Sequence, residues 1–87
     1  MSWFCYLLRC TDDTLYCGIT NDLDRRLAAH NAGTASKYTR VRVPVRLAYA
    51  EQCADRSAAS KREMEIKSLT RAEKLELISL SAVPENQ

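Results

Sequence analysis

Apolar and polar positions divide the first twenty residues into two short runs. Residues 2–9 (SWFCYLLR) and 14–20 (TLYCGIT) are rich in aromatic and apolar side chains, and the polar cluster TDDT marks the boundary between them. Apolar runs bounded by turn-forming residues predict two strands joined as a β-hairpin. Residues 45–52, which contain RLAYAEQ, predict a third strand with Leu47 and Tyr49 on one face.

Between the second and third strands the apolar residues change to a helical spacing. This pattern predicts a helix over about residues 22–32, with Asn21 as its N-cap and Gly33 as its stop. The next stretch, residues 33–45, holds Gly, Ser, Thr and Pro, and it predicts an extended basic loop.

Two more helices are predicted after the third strand. Asp55 is suited to cap a helix over about residues 56–69. Thr70 opens the sequence TRAE, a capping box in which Glu73 occupies the third helical position. A last helix is therefore expected from this box to about Ser81.

The predicted elements follow the order ββαβαα, with no internal repeat or linker between them. In a chain of 87 residues the economical packing is a small three-stranded, mostly antiparallel sheet flanked by three helices, which is an α+β fold. We therefore expect a single domain over residues 1–82 and a frayed tail over residues 83–87.

Composition is typical of a soluble globular domain. Hydrophobic residues make up 46% of the sequence and charged residues 28%, and the longest apolar run, residues 3–8, is too short to span a bilayer. No secretory signal pattern opens the chain, so we expect a cytoplasmic protein without a membrane partner. The four cysteines form no C-x-x-C pair, which favours reduced, mostly buried thiols over a disulfide scaffold or a zinc site.

Positive charge is concentrated in one part of the chain. The net charge is only +2, yet residues 25–50 contain six Lys or Arg residues and no Asp or Glu. Clustered cations without acids attract a phosphate backbone, so this segment is a candidate nucleic-acid contact. A solvated basic loop without a partner is the alternative.

Two polar side chains lie beside the apolar stripe of the first predicted helix. Arg26 and His30 are four residues apart and are therefore neighbours on one helical face. Each follows a core leucine, Leu23 or Leu27, by three residues, so this face borders the core. The adjacent Arg25 is expected to point away from it as surface charge.

The second predicted helix carries a carboxylate within its apolar stripe. Glu63 lies four residues after Ala59 and three before Ile66. Burying a carboxylate costs free energy unless it is paired, hydrogen-bonded or bound to a cation. The sequence leaves two alternatives open, which are a salt bridge from Glu63 to Arg26 and a bound cation.

Two tyrosines on the predicted hairpin are candidates for one site. An antiparallel register that places Tyr6 and Tyr16 on the same face brings their phenols together. Gly18, which has no side chain, leaves room for a ligand to approach the strand. Each tyrosine alone is more often a core aromatic with a satisfied hydroxyl.

Two phenols, a guanidinium, an imidazole and a carboxylate beside an acid-free basic segment suit phosphodiester hydrolysis. That reaction needs a cation to hold the scissile phosphate, a group to deprotonate water and a metal ion for the developing charge. A single carboxylate, with water and phosphate as the other ligands, suits magnesium.

The same residues carry a family resemblance. Phe4-Cys5-Tyr6 and Tyr16-Cys17-Gly18 stand ten residues apart, where the GIY-YIG nucleases have their two signature triplets, and the chain resembles the small stand-alone bacterial proteins of that family. Phe4 and Cys5 replace the glycine and isoleucine of the first triplet, and Cys17 stands in the middle of the second. Further matches lie at residues 18–23, 25–27, 30–31, 36–40, 44–45, 62–63 and 66–67, and the similarity covers about residues 2–78.

The resemblance implies a role for each candidate residue. Tyr6 and Tyr16 would line the catalytic centre, one of them helping to deprotonate the attacking water. Arg26 would grip the scissile phosphate, His30 would support a tyrosine or the phosphate, and Glu63 would hold a single divalent metal, Mg²⁺ or Mn²⁺. The candidate substrate contacts are Gly18, Lys37, Tyr38, Arg40 and Arg42.

These roles lead us to expect a metal-dependent endonuclease acting on DNA in repair, recombination or DNA processing. Single-stranded or branched DNA is the expected substrate, because no helix offers an evident major-groove reading head. Larger relatives attach a DNA-recognition domain for which this chain has no room, so a protein partner is a candidate source of specificity. The alternatives are a non-catalytic nucleic-acid-binding module, which leaves Glu63 without a purpose, and a protein-interaction adaptor.

Overall fold

A three-stranded antiparallel sheet lies at the centre of the computed structural model, which describes residues 2–80. In chain order the elements are β1 (Trp3–Arg9), β2 (Leu15–Thr20), α1 (Leu23–Asn31), α2 (Lys37–Arg40), β3 (Arg46–Cys53), α3 (Arg56–Lys67) and α4 (Arg71–Leu80). The predicted α+β class and the order ββαβαα are confirmed. The one-turn helix α2 is an addition within the segment predicted as an extended loop, and the expected frayed tail lies outside the described residues.

Strand β1 is the central strand, since the sheet order is β2-β1-β3. In the β1–β2 pair, Tyr6 lies opposite Gly18 and Leu8 lies opposite Tyr16. Directly opposed residues of an antiparallel pair share a face, and residues two apart on a strand do so too. The register therefore places Tyr6 and Tyr16 on the same face.

The β1–β3 pair contains an irregularity that sequence alternation does not reveal. Leu7 pairs with Tyr49 and Leu8 with Leu47, and the register shifts between Leu7 and Leu8. The extra residue of this β-bulge, Ala48, reverses the alternation along β3. The prediction that Leu47 and Tyr49 share a face is therefore wrong, because they lie on opposite faces of the sheet.

Each face of the sheet has its own core. On the first, called the α3 face, strand residues pack against Ile66 of α3 and Ile78 of α4; they are Cys5, Leu7, Cys17, Ala48 and Tyr49. On the second, called the α1 face, strand residues pack against Leu23 and Leu27 of α1; they are Tyr6, Leu8, Tyr16 and Leu47. Alternate residues of β1 therefore point into two chemically different environments.

The start of α1 differs by one residue from the prediction. Asp22, and not Asn21, is the N-cap, and its side chain accepts a hydrogen bond from the backbone N–H of Arg25 at 3.1 Å. The Thr20 hydroxyl in turn accepts a hydrogen bond from the Asp22 N–H at 3.0 Å. The end of β2 thus holds the first turn of α1 in place, which fixes the direction of the next helical residues.

The other predicted helix signals are confirmed. Asp55 caps α3 by accepting from the N–H of Ala58, and the side chains of Thr70 and Glu73 each accept a hydrogen bond from the other's backbone N–H at the start of α4. Gly33 follows the end of α1 with a φ of +81°, a left-handed conformation that favours glycine.

The cysteines are free thiols, of which Cys5, Cys10 and Cys17 are buried and Cys53 is half-buried. This agrees with the expected small, mostly buried hydrophobic role. Among the described residues, no helix is both long and apolar enough to cross a membrane.

Candidate active site

A chain of buried hydrogen bonds connects β1 to α2 through α1. The Tyr6 hydroxyl lies 2.9 Å from Nε2 of His30, and Nδ1 of His30 lies 2.7 Å from Oγ1 of Thr39. His30 and Thr39 are fully buried and Tyr6 is 2% exposed. Both nitrogens of the imidazole have a partner, so His30 is fixed in position and orientation and holds the Tyr6 hydroxyl.

Thr39 is a site residue that the sequence reasoning missed. Its backbone N–H donates to the Ser36 hydroxyl at 3.1 Å, and the two hydroxyls lie 2.9 Å apart. Ser36 is the N-cap of the one-turn helix α2. A serine three residues before a threonine is a detectable cap signal, but nothing in the local sequence connects this turn to His30.

Burial shifts the proton equilibria of the paired phenol and imidazole. Desolvation, followed by the positive charge of Arg26, lowers the pKa of His30 below its usual range. Desolvation raises the pKa of Tyr6, and the neighbouring Arg26 guanidinium opposes that rise only in part. At neutral pH the pair is therefore a neutral phenol bonded to a neutral imidazole.

The space above Gly18 is occupied by Tyr6 rather than left open for a ligand. A Cβ atom built on Gly18 would lie 2.5 Å from the Tyr6 hydroxyl oxygen and 2.7 Å from Cζ, closer than real side chains come. The expectation that this glycine leaves room for a ligand is therefore corrected. Because Gly18 has no Cβ atom, the phenol of Tyr6 can lie across the strand at that point.

Tyr16 lies beside the same imidazole but contacts it through its ring. Its ring meets the His30 ring edge-on, with centroids 5.1 Å apart, and it stacks on Tyr38 with centroids 5.8 Å apart. Within residues 2–80, no hydrogen-bond partner of the Tyr16 hydroxyl is found, whereas the Tyr6 hydroxyl is bonded to His30. Of the two candidate phenols, Tyr16 is the one free to bind an incoming molecule.

Arg26 extends from α1 next to Tyr6 and reaches an open groove. Its Nε is buried and has no hydrogen-bond partner in the described part of the chain. The groove has a volume of about 470 Å³ and is lined by Thr20, Asn21, Asp22, Arg25, Arg26 and Ala29. Arg25, expected to point away, lines the same groove as an exposed side chain. Two guanidinium groups thus face one depression, which favours an anionic ligand.

The four predicted contacts of the basic segment fall into two pairs. Lys37 and Arg40 are exposed, line an open depression of about 290 Å³, and have no acidic partner within residues 2–80. Tyr38 and Arg42 instead pack together, with the Arg42 guanidinium 3.9 Å from the centre of the Tyr38 ring. Only the first pair has charge that is free for a phosphate backbone.

Within residues 2–80, Glu63 forms no hydrogen bond or ion pair with the other four catalytic candidates. Glu63 lies on α3, its carboxylate is 3.3 Å from the Lys67 ammonium, and its side chain is 22% exposed. The pKa of Cys5, a residue of the α3 face, is raised mainly by its hydrogen bond to Cys17 and by burial. The negative charge of Glu63 adds to this rise. The possible salt bridge from Glu63 to Arg26 is therefore wrong, because the Glu63 carboxylate pairs with Lys67 of its own helix.

The donors near Glu63 limit the kind of metal site that fits. Within the described residues, no group of three or more His, Cys, Asp or Glu side chains could hold a metal ion. Magnesium is commonly held through one or two carboxylates, with waters and substrate phosphates completing its shell. The partly exposed carboxylate of Glu63 fits a site of that kind, and no cage made of protein ligands is available.

Comparison with known proteins identifies the family. A model of the GIY-YIG catalytic domain matches residues 2–76. The UPF0213 protein of Natronomonas pharaonis is 50% identical over 76 residues, which cover 87% of this chain and 89% of that protein. The UPF0213 protein of Clostridium perfringens is 48% identical over 82 residues, which cover 94% and 88%.

Two solution NMR structures share the fold. The UPF0213 protein of Bacillus halodurans is 39% identical, has a TM-score of 0.62, and aligns over 97% of this chain and 89% of its own. A protein of E. faecalis is 35% identical, has a TM-score of 0.60, and aligns over 100% and 96%. The match to the catalytic-domain model spans most of the chain, and the chain belongs to the GIY-YIG family of nucleases.

Proposed function

We propose that this protein is a magnesium-dependent endonuclease that hydrolyses phosphodiester bonds of DNA, in repair, recombination or DNA processing. The observation that carries the proposal is the α1 face itself. There the buried phenol and imidazole of Tyr6 and His30 bond to each other, while the Tyr16 hydroxyl and Nε of Arg26 have no hydrogen-bond partner within residues 2–80. The Tyr16 phenol suits a water nucleophile, and the Arg26 guanidinium suits a phosphate.

Tyr16 is the group that we assign to the attacking water. Its hydroxyl oxygen has no partner among the described residues, so a water molecule can bind there. There the phenol oxygen helps to deprotonate that water as it attacks phosphorus. Tyr6 is less suited to this role, because burial raises its pKa and its hydroxyl is bonded to His30.

Arg26 is the group that we assign to the scissile phosphate. Its guanidinium lines the groove at the start of α1 together with Arg25. Charge-assisted bonds from a guanidinium to phosphate oxygens stabilise the extra negative charge of the transition state. Because Arg25 is more exposed than Arg26, we assign it to a neighbouring phosphate of the same strand.

Glu63 is the residue that would hold a divalent cation, Mg²⁺ or Mn²⁺, which when bound supplies positive charge to the phosphate oxygens. It lies on α3, which packs against both β1 and the edge strand β2. In this proposal the substrate passes the free edge of β2, so that residues from both faces of the sheet reach one phosphate.

The architecture supports single-stranded or branched DNA as the substrate. The three longer helices, α1, α3 and α4, all contribute core residues to the sheet, so none is presented as a separate reading head for the major groove. The free cations Lys37 and Arg40 can follow a flexible backbone without reading bases. A protein partner that adds specificity is compatible with this arrangement.

The experiment that tests the proposal measures cleavage of end-labelled single-stranded, duplex and forked DNA with Mg²⁺, with Mn²⁺ or with EDTA. We expect metal-dependent cleavage that is strongest on single-stranded or forked DNA. Tyr16→Phe and Arg26→Ala should each lower the rate by at least about 100-fold, since each removes a transition-state contact. Lys61→Ala, an exposed change on α3, should cleave as the wild type does.

A second candidate function is a non-catalytic nucleic-acid-binding module. It is favoured by one observation, which is the position of Glu63 on the α3 face, paired with Lys67. Metal-independent DNA binding without cleavage of any substrate, unchanged in Glu63→Ala, would support this candidate and exclude the nuclease. Cleavage that disappears in Glu63→Ala while DNA binding persists would exclude the binding module.

A further inference from the structure

We propose that Tyr38, supported by Arg42, is a positioning residue for the Tyr16 phenol and not a contact to the substrate. This proposal rests on the assignment of Tyr16 to the attacking water. It assigns Tyr38 and Arg42 a different role from the DNA contact that their place in a basic segment suggests.

The Tyr38 ring packs directly against the Tyr16 ring. The two rings stack with an interplanar angle of 28°, and the His30 ring meets Tyr16 on another side at 64°. His30 is itself fixed by Tyr6 and Thr39. Tyr16 is therefore held between an immobile imidazole and a second phenol that is 38% exposed.

Arg42 fixes Tyr38 through two contacts and is itself anchored by a third, to Asp12. Its guanidinium lies over the Tyr38 ring at 3.9 Å, and its Nη1 donates to the Tyr38 carbonyl oxygen at 2.8 Å. Its Nε donates to Oδ2 of Asp12 at 3.0 Å. Asp12 is held in turn by the hydroxyl of Thr14, which donates to its other carboxylate oxygen at 2.6 Å. The turn between β1 and β2 is thus tied to α2, and Tyr38 lies at the junction.

These contacts leave Arg42 poorly suited to bind phosphate. The carboxylate of Asp12 offsets its charge, and two of its nitrogens already donate hydrogen bonds. Lys37 and Arg40, close by in sequence, have no acidic partner in the described chain. The basic segment therefore separates into two free cations for the DNA backbone and one arginine that holds an aromatic ring.

The orientation of Tyr16 matters because water attack requires alignment. Within residues 2–80 its hydroxyl has no hydrogen bond that would fix the ring, so the packing of the ring sets where the oxygen lies. A displacement of about 1 Å in a reacting group can reduce a rate by a factor on the order of 100. Loss of the Tyr38 ring is thus expected to lower the turnover rate and to leave the affinity for substrate unchanged.

The first test does not depend on cleavage. The chain has four tyrosines, so 3-fluorotyrosine labelling gives four ¹⁹F resonances, which single Tyr→Phe variants assign. Tyr38→Ala should shift and broaden the Tyr16 resonance and leave that of Tyr49, on the other face, unchanged. Trp3→Ala removes an aromatic ring that also carries an arginine, Arg56, at 5.6 Å, and it should leave the Tyr16 resonance in place.

The second test separates positioning from substrate binding. Tyr38→Ala should lower kcat by a factor of about 10 to 100, with KM and the salt dependence of DNA binding unchanged within twofold. Tyr38→Phe, which keeps the ring, should restore kcat. Arg42→Ala should lower kcat in the same direction, whereas Arg56→Ala, the matched arginine over Trp3, should not.

Two results would overturn the proposal. One is a KM that rises in Tyr38→Ala or Arg42→Ala at constant kcat, which identifies the residues as substrate contacts. The other is an unchanged Tyr16 resonance in folded Tyr38→Ala. If the wild-type protein cleaves no DNA, the proposed nuclease function fails, and the fluorine spectrum still decides whether Tyr38 positions Tyr16.

Discussion

The two faces of the sheet use alternate residues of the same strand for different purposes. On the α3 face, Cys5 and Leu7 are fully buried among apolar side chains and thiols. On the α1 face, Tyr6 is buried almost as deeply, but its hydroxyl is bonded to His30. The α3 face contributes to stability through apolar burial, whereas part of the α1 face is occupied by a buried polar network.

The polar network of the α1 face has one consequence for geometry. Buried polar groups that are all satisfied hold one geometry, because any displacement leaves a donor or acceptor unpaired. The Tyr6–His30–Thr39 chain meets this condition, and Nε of the adjacent Arg26 does not within residues 2–80. A rigid network next to a guanidinium with one unpaired nitrogen is consistent with the phosphate contact that we propose for Arg26.

The most direct way to break the α1 face is to fill the space above Gly18. In Gly18→Ala the new methyl group would meet the phenol of Tyr6, which is 2% exposed and would be displaced from its bond to His30. We expect a loss of about 3 kcal/mol in the free energy of unfolding, from overpacking and a broken buried hydrogen bond. Urea denaturation and cleavage assays measure the two consequences, and cleavage should disappear.

The control for that variant lies one residue away on the other face. Cys17→Ala removes a sulfur atom from the α3 face, where Cys17 is 3.8 Å from the Cys5 sulfur. We expect Cys17→Ala to lower the free energy of unfolding by about 1 kcal/mol and to leave cleavage unchanged. Equal losses of activity in the two variants would show that the faces are not separate in function.

The sequence predicts which elements carry the candidate residues of the α1 face better than it predicts the contacts between those residues. Strand alternation and helical spacing are local signals, so they place Tyr6 and Tyr16 on strands and Arg26 and His30 on one helix face. The register that unites the tyrosines, Tyr6 opposite Gly18, depends on the hairpin as a whole. Family resemblance supplied the candidates, and the structure supplied their contacts.

Long-range contacts account for what the sequence did not predict. Thr39 meets His30, and Asp12 meets Arg42 thirty positions away, through contacts that no local pattern encodes. The bulge at Ala48 places Leu47 and Tyr49 on opposite faces of the sheet, and no glycine or proline in the strand indicates it. The pairing of Glu63 with Lys67 is different, because an i,i+4 pair on one helix is a local contact that the sequence does encode.

The pH dependence of stability also distinguishes the α1 face, because that face holds His30, the only histidine of the chain. Burial and Arg26 lower the pKa of His30 below 6.5 in the folded state. The unfolded chain therefore takes up a proton first as the pH falls through about 6.5, and stability decreases from there down to the folded pKa. Urea denaturation between pH 7.5 and 5.5 should show this decrease.

His30→Gln is the variant that isolates this effect, because it removes the titrating group and keeps a polar side chain. Its unfolding free energy should be nearly independent of pH in the same window. The carboxylates of Asp12 and Asp13, whose pKa values are lowered by hydrogen bonds from Thr14 and Arg9 respectively, titrate at lower pH and do not interfere. A His30 pKa above 6.5 in an NMR titration of the wild type would contradict the buried neutral imidazole.

The smallest expected change in stability comes from Glu63, and it is informative because it is small. The ion pair between Glu63 and Lys67 is a partly exposed i,i+4 pair on one helix, and such pairs contribute about 0.5 kcal/mol or less. Glu63→Gln keeps the shape of the side chain, so urea denaturation should find its stability close to that of the wild type. Glu65→Gln, which removes a similar partner from Arg62, is the matched control. If only Glu63→Gln loses metal-dependent cleavage, the carboxylate within the apolar stripe serves the reaction and not the fold, whereas a large loss of stability in Glu63→Gln would assign it to the fold.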